Sequence, residues 1–378
     1  MNLDFTEEQE MLKSSARDFL TKEYPKSLVR ELEEDEKGHS PELWRKVAEL
    51  GWIGLMIPEE YDGMGMEYMD LIVLIQEMGR NIMPGPFFCT VVLGSLPILT
   101  AGTEEQKKEF LPKVASGEMI LTMALVEPSA TYDAMGVEAK AVAQGDNFVI
   151  NGTKLFVENA HIADYLICAA RTRSGSSPEE GITLFLVDAK SPGIKCEVMP
   201  TTGLDKLCEV VFENVSVPKK NVLGAVDEGW PVVARTLEQA TTAKCAEMTG
   251  GAEAALDMSN VYAKDRIAYE KPIGANQVIQ HYLANMWISV DTSKNYLYET
   301  AWMVGEGLPE AATKVSMLKA YLGQAYRFVT ERGVQIHGAI GTTRDHDIGL
   351  YYRRALTSDL AFGDVDYHRE LVARKVGL

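Results

Sequence analysis

The stretch Gln335 to Asp364, QIHGAIGTTRDHDIGLYYRRALTSDLAFGD, is where the residue types of this chain first suggest chemistry. Gly333, Gly338, Gly341 and Gly349 interrupt a helical pattern at short intervals, so close-packed turns are expected there. Such turns leave backbone N–H groups free to meet an anion, and a cofactor phosphate would suit them. A plain linker between two helices would use the same glycines, and from them alone the two readings stand level. A second stretch, YAKDRIAYEKPIGANQVIQH over residues 262–281, carries Arg266. A guanidinium fork matches phosphate geometry, although Arg266 taken alone reads as a solvated or ion-paired helix residue.

Composition narrows the classes of partner. The formal net charge of −18 argues against nucleic acid or an anionic membrane surface, since both require basic patches and counterion release. The 378 residues, 46% of them hydrophobic, predict a globular protein of two or three domains. Cys89, Cys168, Cys196, Cys208 and Cys245 are far apart, which predicts a reducing cytoplasm rather than a disulfide framework. The histidines are equally scattered, and no metal site is expected. The N-terminal residues are acidic and amphipathic, unlike a signal peptide. The longest nearly apolar run, Val91 to Gly102, contains Pro97 and is shorter than the roughly 20 residues that span a bilayer, so no membrane segment is expected.

The elements that must position these residues fall into three blocks. Residues 1–119 read as helical: Thr6 with Gln9 and Thr103 with Gln106 have capping-box spacing, Ser40-Pro41 is a helix start, and Gly51 and Gly79 read as helix ends. Residues 120–224 change to a period of two, with runs at Tyr165–Ala169, Ile182–Val187, Ile194–Val198 and Val210–Val217. Asn151-Gly152 between two such runs predicts a hairpin turn, and the even spacing predicts a compact β-barrel or sandwich. Residues 225–378 return to long helical patterns, which predict a four-helix bundle. The fold class expected is therefore α+β and multidomain.

On these residues the chain resembles the acyl-CoA dehydrogenase family over essentially its full length. The family's C-terminal signature is a Gln-x-x-Gly-Gly-x-Gly turn, an Arg-rich helix and a catalytic Glu followed by Gly. Gln335, Gly338 and Gly341 match, Ala339 replaces the second glycine, and Arg353 or Arg354 matches the arginine. A second signature, Arg-x-x-Phe-Gly followed by Gln, is matched by Arg266, Tyr269 and Gln277, with Glu270 in place of the glycine. The resemblance implies that Arg266, Tyr269, Gln277, Gln335 and Gly338 hold the pyrophosphate and adenine end of FAD belonging to a neighbouring subunit.

The remaining family positions depart from the pattern. Phe362 occupies the place of the catalytic Glu, just before Gly363. The Thr-Glu-Pro-x-x-Gly-Ser-Asp turn becomes Val126-Glu127-Pro128-Ser129-Ala130-Thr131-Tyr132-Asp133, and Trp-x-Thr becomes Phe156-Val157-Glu158. The other helix position that carries a base in some members is Ala240, next to Thr241. What survives is the set that serves a neighbour's FAD; what is lost serves the chain's own pocket. The resemblance then implies a subunit of an α2β2 dehydrogenase for acyl-CoA, such as those in bacterial degradation of steroid side chains. It would be paired with a paralogous subunit that carries the base, and electron-transferring flavoprotein would be the electron acceptor. Two alternatives stay open. One is a self-sufficient homotetramer with a relocated base, for which Glu247 and Glu238 are the weak candidates; the other is a non-catalytic acyl-CoA-binding or structural relative.

Overall fold

The structure is a computed structural model that describes residues 5–203 and 205–378. Six helices come first: α1 (Glu7–Glu23), α2 (Lys26–Glu34), α3 (Pro41–Glu49), α4 (Tyr68–Asn81), α5 (Leu96–Ala101) and α6 (Glu104–Ala115). The starts of α1, α3 and α6 follow from side-chain capping of N–H groups that a helix cannot satisfy itself. Thr6 and Gln9 close a reciprocal pair, as do Thr103 and Gln106, and Ser40 accepts from the Leu43 N–H. α4 is buried nearly all round because it lies between α1 and the C-terminal helices.

Gly79 does not end a helix. It lies within α4, where an added Cβ would come 2.1 Å from the backbone oxygen of Glu247. Its role is close approach of two helices, a use of glycine that looks the same in sequence as a terminus.

The central block holds strands β1 (Leu121–Ala124), β2 (Lys140–Gln144), β3 (Asn147–Glu158), β4 (Tyr165–Arg171), β5 (Ile182–Asp188), β6 (Ile194–Met199), β7 (Leu207–Pro218) and β8 (Val222–Leu223). They form one sheet in the order β6-β7-β3-β2-β4-β5-β8, with β1 pairing in parallel with β4. The hairpin expected at Asn151-Gly152 is not there. β3 runs straight through both residues, and the turn between β2 and β3 is Gly145-Asp146. Asn151-Gly152 instead marks a register shift against β7, where Ala139 packs so close that a Cβ on Gly152 would come within 2.4 Å of it.

The C-terminal block contains α7 (Trp230–Asp265), α8 (Gln277–Gly305), α9 (Ala311–His337), α10 (Ile348–Leu360) and α11 (Val365–Lys375). Of the four glycines expected to break helices, only Gly338 and Gly341 lie in the turn after α9; Gly333 is inside α9 and Gly349 inside α10. Gly333 is there because Ser259 and Ile348 press on it. The arrangement is the expected α+β one: helices, a central sheet, and a C-terminal helical bundle. The larger apolar core joins all three blocks, while a smaller one fills the sheet. Among the described residues no helix is long and apolar enough to cross a membrane.

Candidate functional site

The site forms around the turn that follows α10. Phe362 has φ +60° and Gly363 φ +99°, and a left-handed phenylalanine persists only where its surroundings hold it. Lys319 of α9, fully buried, donates from Nζ to the carbonyls of Asp359 and Gly363, both at 2.7 Å. His368 of α11 lies with Nε2 3.0 Å from the Phe362 carbonyl. Burial pushes Lys319 down to about 8 and His368 down to about 4. The Phe362 ring packs on Phe88, 5.7 Å away between centroids, and on Tyr132, 5.9 Å away. The Phe362 N–H makes no backbone–backbone hydrogen bond among the described residues and is directed at the Tyr132 hydroxyl.

In front of this turn lies a cavity of about 670 Å³, of the size that holds small ligands. Leu93, Met123, Leu125, Leu237 and Leu360 make apolar walls, and Tyr132, Phe156 and Phe362 add rings. Three charged residues, Glu158, Asp205 and Lys244, stand between it and a narrower cleft lined by Met78, Ile82, Phe87 and Phe88.

β3 delivers Glu158 through an irregularity at Lys154–Val157, where Phe156 takes φ +57°. The Glu158 carboxyl makes no hydrogen bond among the described residues, lies partly open to the cavity, and is pushed up to about 7 by burial.

Behind it is a buried ionic chain. Lys244 Nζ lies 2.9 Å from Glu247 Oε2 and 4.3 Å from the centroid of the Phe88 ring. Glu247 Oε1 accepts from Arg354 Nε at 2.7 Å, and Arg354 also pairs with Asp205. Burial opposes the charge on Glu247, but Arg354 and Lys244 overcome it and hold the carboxyl down to about 2. A carboxylate so stabilised is a poor proton acceptor at neutral pH. Glu238 pairs with Arg235 on the same helix and lines neither space. Glu247 lines the narrower cleft but not the larger cavity.

The expected nucleotide residues lie elsewhere, on the surface. Arg266 caps the C-terminal end of α7, Gln277 begins α8, and Gln335 is in the last turn of α9; all three side chains are exposed and make no hydrogen bond among the described residues. Tyr269 is 97% exposed. Gly338, at φ +66°, has nothing within 4 Å of a would-be Cβ, while its N–H is engaged by the Gln335 and Val334 carbonyls. The Tyr262 and His337 rings, 4.4 Å apart, bring the end of α7 beside the end of α9, so the two sequence stretches meet. None of the five lines either cavity.

The residues that sequence reasoning missed are Lys244 and Asp205; of the two arginines that matched the signature, Arg354 is the one in this ionic chain. One signal was present: Lys244 and Glu247 stand three apart within QATTAKCAEMTGGA, an otherwise small and uncharged helical run that had to be buried.

The descriptions "Acyl-CoA dehydrogenase, N-terminal domain", "middle domain" and "C-terminal domain" match residues 6–118, 122–215 and 227–377 respectively. The chain belongs to the acyl-CoA dehydrogenase family, flavoprotein oxidoreductases that act on the CH–CH bond of acyl-CoA. It is 30% identical over 386 residues to the probable acyl-CoA dehydrogenase YngJ of Bacillus subtilis, covering 100% of each chain. Butyryl-CoA dehydrogenase from Megasphaera elsdenii superposes with a TM-score of 0.92 at 28% identity, covering 100% of each chain. The ChsE4-ChsE5 complex from Mycobacterium tuberculosis gives a TM-score of 0.91 at 25% identity, covering 100% of this chain and 99% of the other.

Proposed function

We propose that this chain is the subunit of a heteromeric α2β2 acyl-CoA dehydrogenase that lacks the catalytic base and lends FAD contacts to a paralogous partner. The observation that carries this reading is the turn at Phe362. It is held rigidly, and the side chain where a carboxylate is needed is a buried phenyl ring. General-base catalysis is worth typically 10²–10⁴-fold, so a pocket without a base is close to silent. Neither Glu238 nor Glu247 replaces it, for the reasons of pairing and position given above.

The fit to FAD is divided. The surface group Arg266, Tyr269, Gln277, Gln335 and Gly338 is exposed, and the side chains of Arg266, Gln277 and Gln335 make no hydrogen bond among the described residues, as a grip for a dinucleotide from another subunit requires. The chain's own barrel offers Val126 where a hydroxyl would donate, Tyr132 packed into the cavity toward Phe362, and the carboxyl of Glu158 on the wall. These residues suit a flavin ring poorly. FAD in the family accepts the hydride from the β-carbon; here Arg266 and its neighbours would hold only the phosphate and adenine end, while the partner supplies the base. Acyl-CoA is the substrate of the assembly, and electron-transferring flavoprotein is its electron acceptor. The likeness to a structure described as a complex of two such proteins supports the mixed assembly.

The test is to purify the chain alone and together with the paralogue encoded nearest to it, then count flavin per chain and assay acyl-CoA oxidation. Flavin and turnover are expected only in the mixed complex, and Arg266→Ala is expected to remove flavin from it. Stoichiometric FAD with turnover in the lone protein would overturn the reading.

A further inference from the structure

Outside both cavities, Cys196, Cys208 and His161 meet on one face of the sheet. β6 and β7 pair antiparallel with Cys196 opposite Val210 and Val198 opposite Cys208, so the two cysteines are diagonal neighbours on a shared face. His161, in the short turn Ala160–Ile162, places Nδ1 3.6 Å from Cys208 Sγ and Nε2 3.3 Å from the Lys37 carbonyl oxygen. A carbonyl oxygen only accepts, so Nε2 carries the proton and Nδ1 keeps a lone pair for the Cys208 thiol. A base oriented by a third group and aimed at a thiol is the arrangement that activates a nucleophile. Cys196 and His161 outweigh burial and hold the Cys208 thiol down to about 5, so the pair of cysteines carries a thiolate at neutral pH. Cys208 is buried and Cys196 exposed, so an oxidant reaches the pair through Cys196. The other three cysteines offer no rival. Cys89, Cys168 and Cys245 are buried, and burial pushes their thiols up to about 12, about 11 and about 12.

We propose that Cys196 and Cys208 are a modification site for hydroperoxides, closing a reversible disulfide between β6 and β7 with His161 as the proton carrier. Cys196, its proton passed to Cys208, attacks the hydroperoxide: an S–O bond forms as the O–O bond breaks, and the leaving oxygen takes the proton held by His161. His161 then takes the Cys208 proton. The Cys208 sulfur forms the S–S bond as the S–O bond breaks, and the hydroxide leaves as water with that proton. Two thiols are oxidised, and one hydroperoxide is reduced to an alcohol and water. Diagonal partners stand about 7–8 Å apart at Cα, near the limit for a bridge, so β6 must shift slightly. It is the edge strand of the sheet and exposed over most of its length, so it is free to do so. The two cysteines bracket the connection that carries Thr201, Thr202 and Asp205, which places the modified hairpin next to the wall of the larger cavity. The site stands whether or not this barrel seats a flavin.

The test treats the purified full-length chain with hydrogen peroxide near neutral pH, alkylates the remaining thiols in denaturant, and maps tryptic peptides by mass without reduction. Trypsin cuts after Lys195, Lys206 and Lys219, so Cys196 and Cys208 fall in separate peptides, 196–206 and 207–219. These two peptides are expected to appear joined, and dithiothreitol to separate them, while Cys89, Cys168 and Cys245 stay reduced. Cys208→Ser is expected to stop at a sulfenic acid on Cys196, which dimedone traps. His161→Ala is expected to form the link about tenfold more slowly, because an ordinary thiol is only slightly ionised at neutral pH. Three results would overturn the proposal: no joined peptides from natively folded chain, oxidation of Cys196 to sulfinic acid with Cys208 still a thiol, or an unchanged rate in folded His161→Ala protein. Each leaves the flavin count of the mixed complex untouched, so this inference and the partner-subunit reading fail separately.

Discussion

Lys319 Nζ lies 2.7 Å from the carbonyl oxygen of Gly363, so an ammonium buried in α9 anchors the turn that presents Phe362. Lys319→Met would leave that carbonyl and the one at Asp359 without this donor. We expect a loss of about 2 kcal/mol, read from the urea midpoint, since an unpaired buried acceptor costs roughly 1–3 kcal/mol. The pH dependence has a definite sign. Burial lowers the folded value of Lys319 to about 8 from an ordinary value of 10.5, so the unfolded chain binds more protons between those limits. Native stability relative to the Met variant should therefore rise as pH increases from about 8 toward 10.5. A difference that falls over that range would contradict the assigned environment.

Glu247 is the hinge of the buried ionic chain, and its removal should be more damaging. Glu247→Ala strands Lys244 and Arg354, both nearly inaccessible, with one counter-charge between them. Breaking a buried pair by deleting one partner typically costs 3–5 kcal/mol, and a loss of about that size is expected in chemical unfolding. The native carboxyl sits near 2 against an ordinary value of 4.5, so its stabilisation is complete above about 4.5 and disappears as pH falls toward 2. The gap between native and variant should close over that window.

Phe362→Glu restores the side chain at the family's catalytic position and asks whether it suffices. We expect the lone variant to bind no flavin absorbing near the visible flavin maximum and to oxidise no acyl-CoA, because Val126, Tyr132 and Glu158 still shape the barrel. The new carboxyl would sit against the Phe88 and Tyr132 rings, where desolvation disfavours its charge. Turnover gained by this single change in the lone chain would show that loss of the base was the only defect.

How far the chain could be read in advance depended on the kind of signal. Thr6 with Gln9 and Thr103 with Gln106 announce helix starts because capping is local, and the structure has both boxes. The period-two runs from 165 to 217 announce strands for the same reason. Glycine was ambiguous. Gly79, Gly333 and Gly152 read as a helix end, a helix break and a hairpin turn, yet each marks a place where another part of the chain comes close. That demand arises only in three dimensions. The same limit hid the cavity. Phe362 stood out by its place in a motif, whereas the pairing of Arg354 with Asp205 and Glu247 links residues about 100 to 150 positions apart in the chain.

The close approach at Gly79 gives the last prediction. An added methyl group there would meet the Glu247 oxygen at 2.1 Å and its Cα at 2.6 Å, contacts with backbone that no rotamer change relieves. Gly79→Ala must push α4 away from α7, although alanine favours helix by roughly 0.5–1 kcal/mol over glycine. Overpacking a tight interior typically costs 1–3 kcal/mol, occasionally more, and here backbone must move, so the clash should win by about 2 kcal/mol. Because α7 carries Lys244 and Glu247 opposite that contact, the variant should also open the narrower cleft lined by Met78 and Phe88. Hydrogen exchange over residues 240–252 should then quicken relative to the native chain. Stability equal to or above native, with exchange unchanged, would mean that the two helices are not in the contact described.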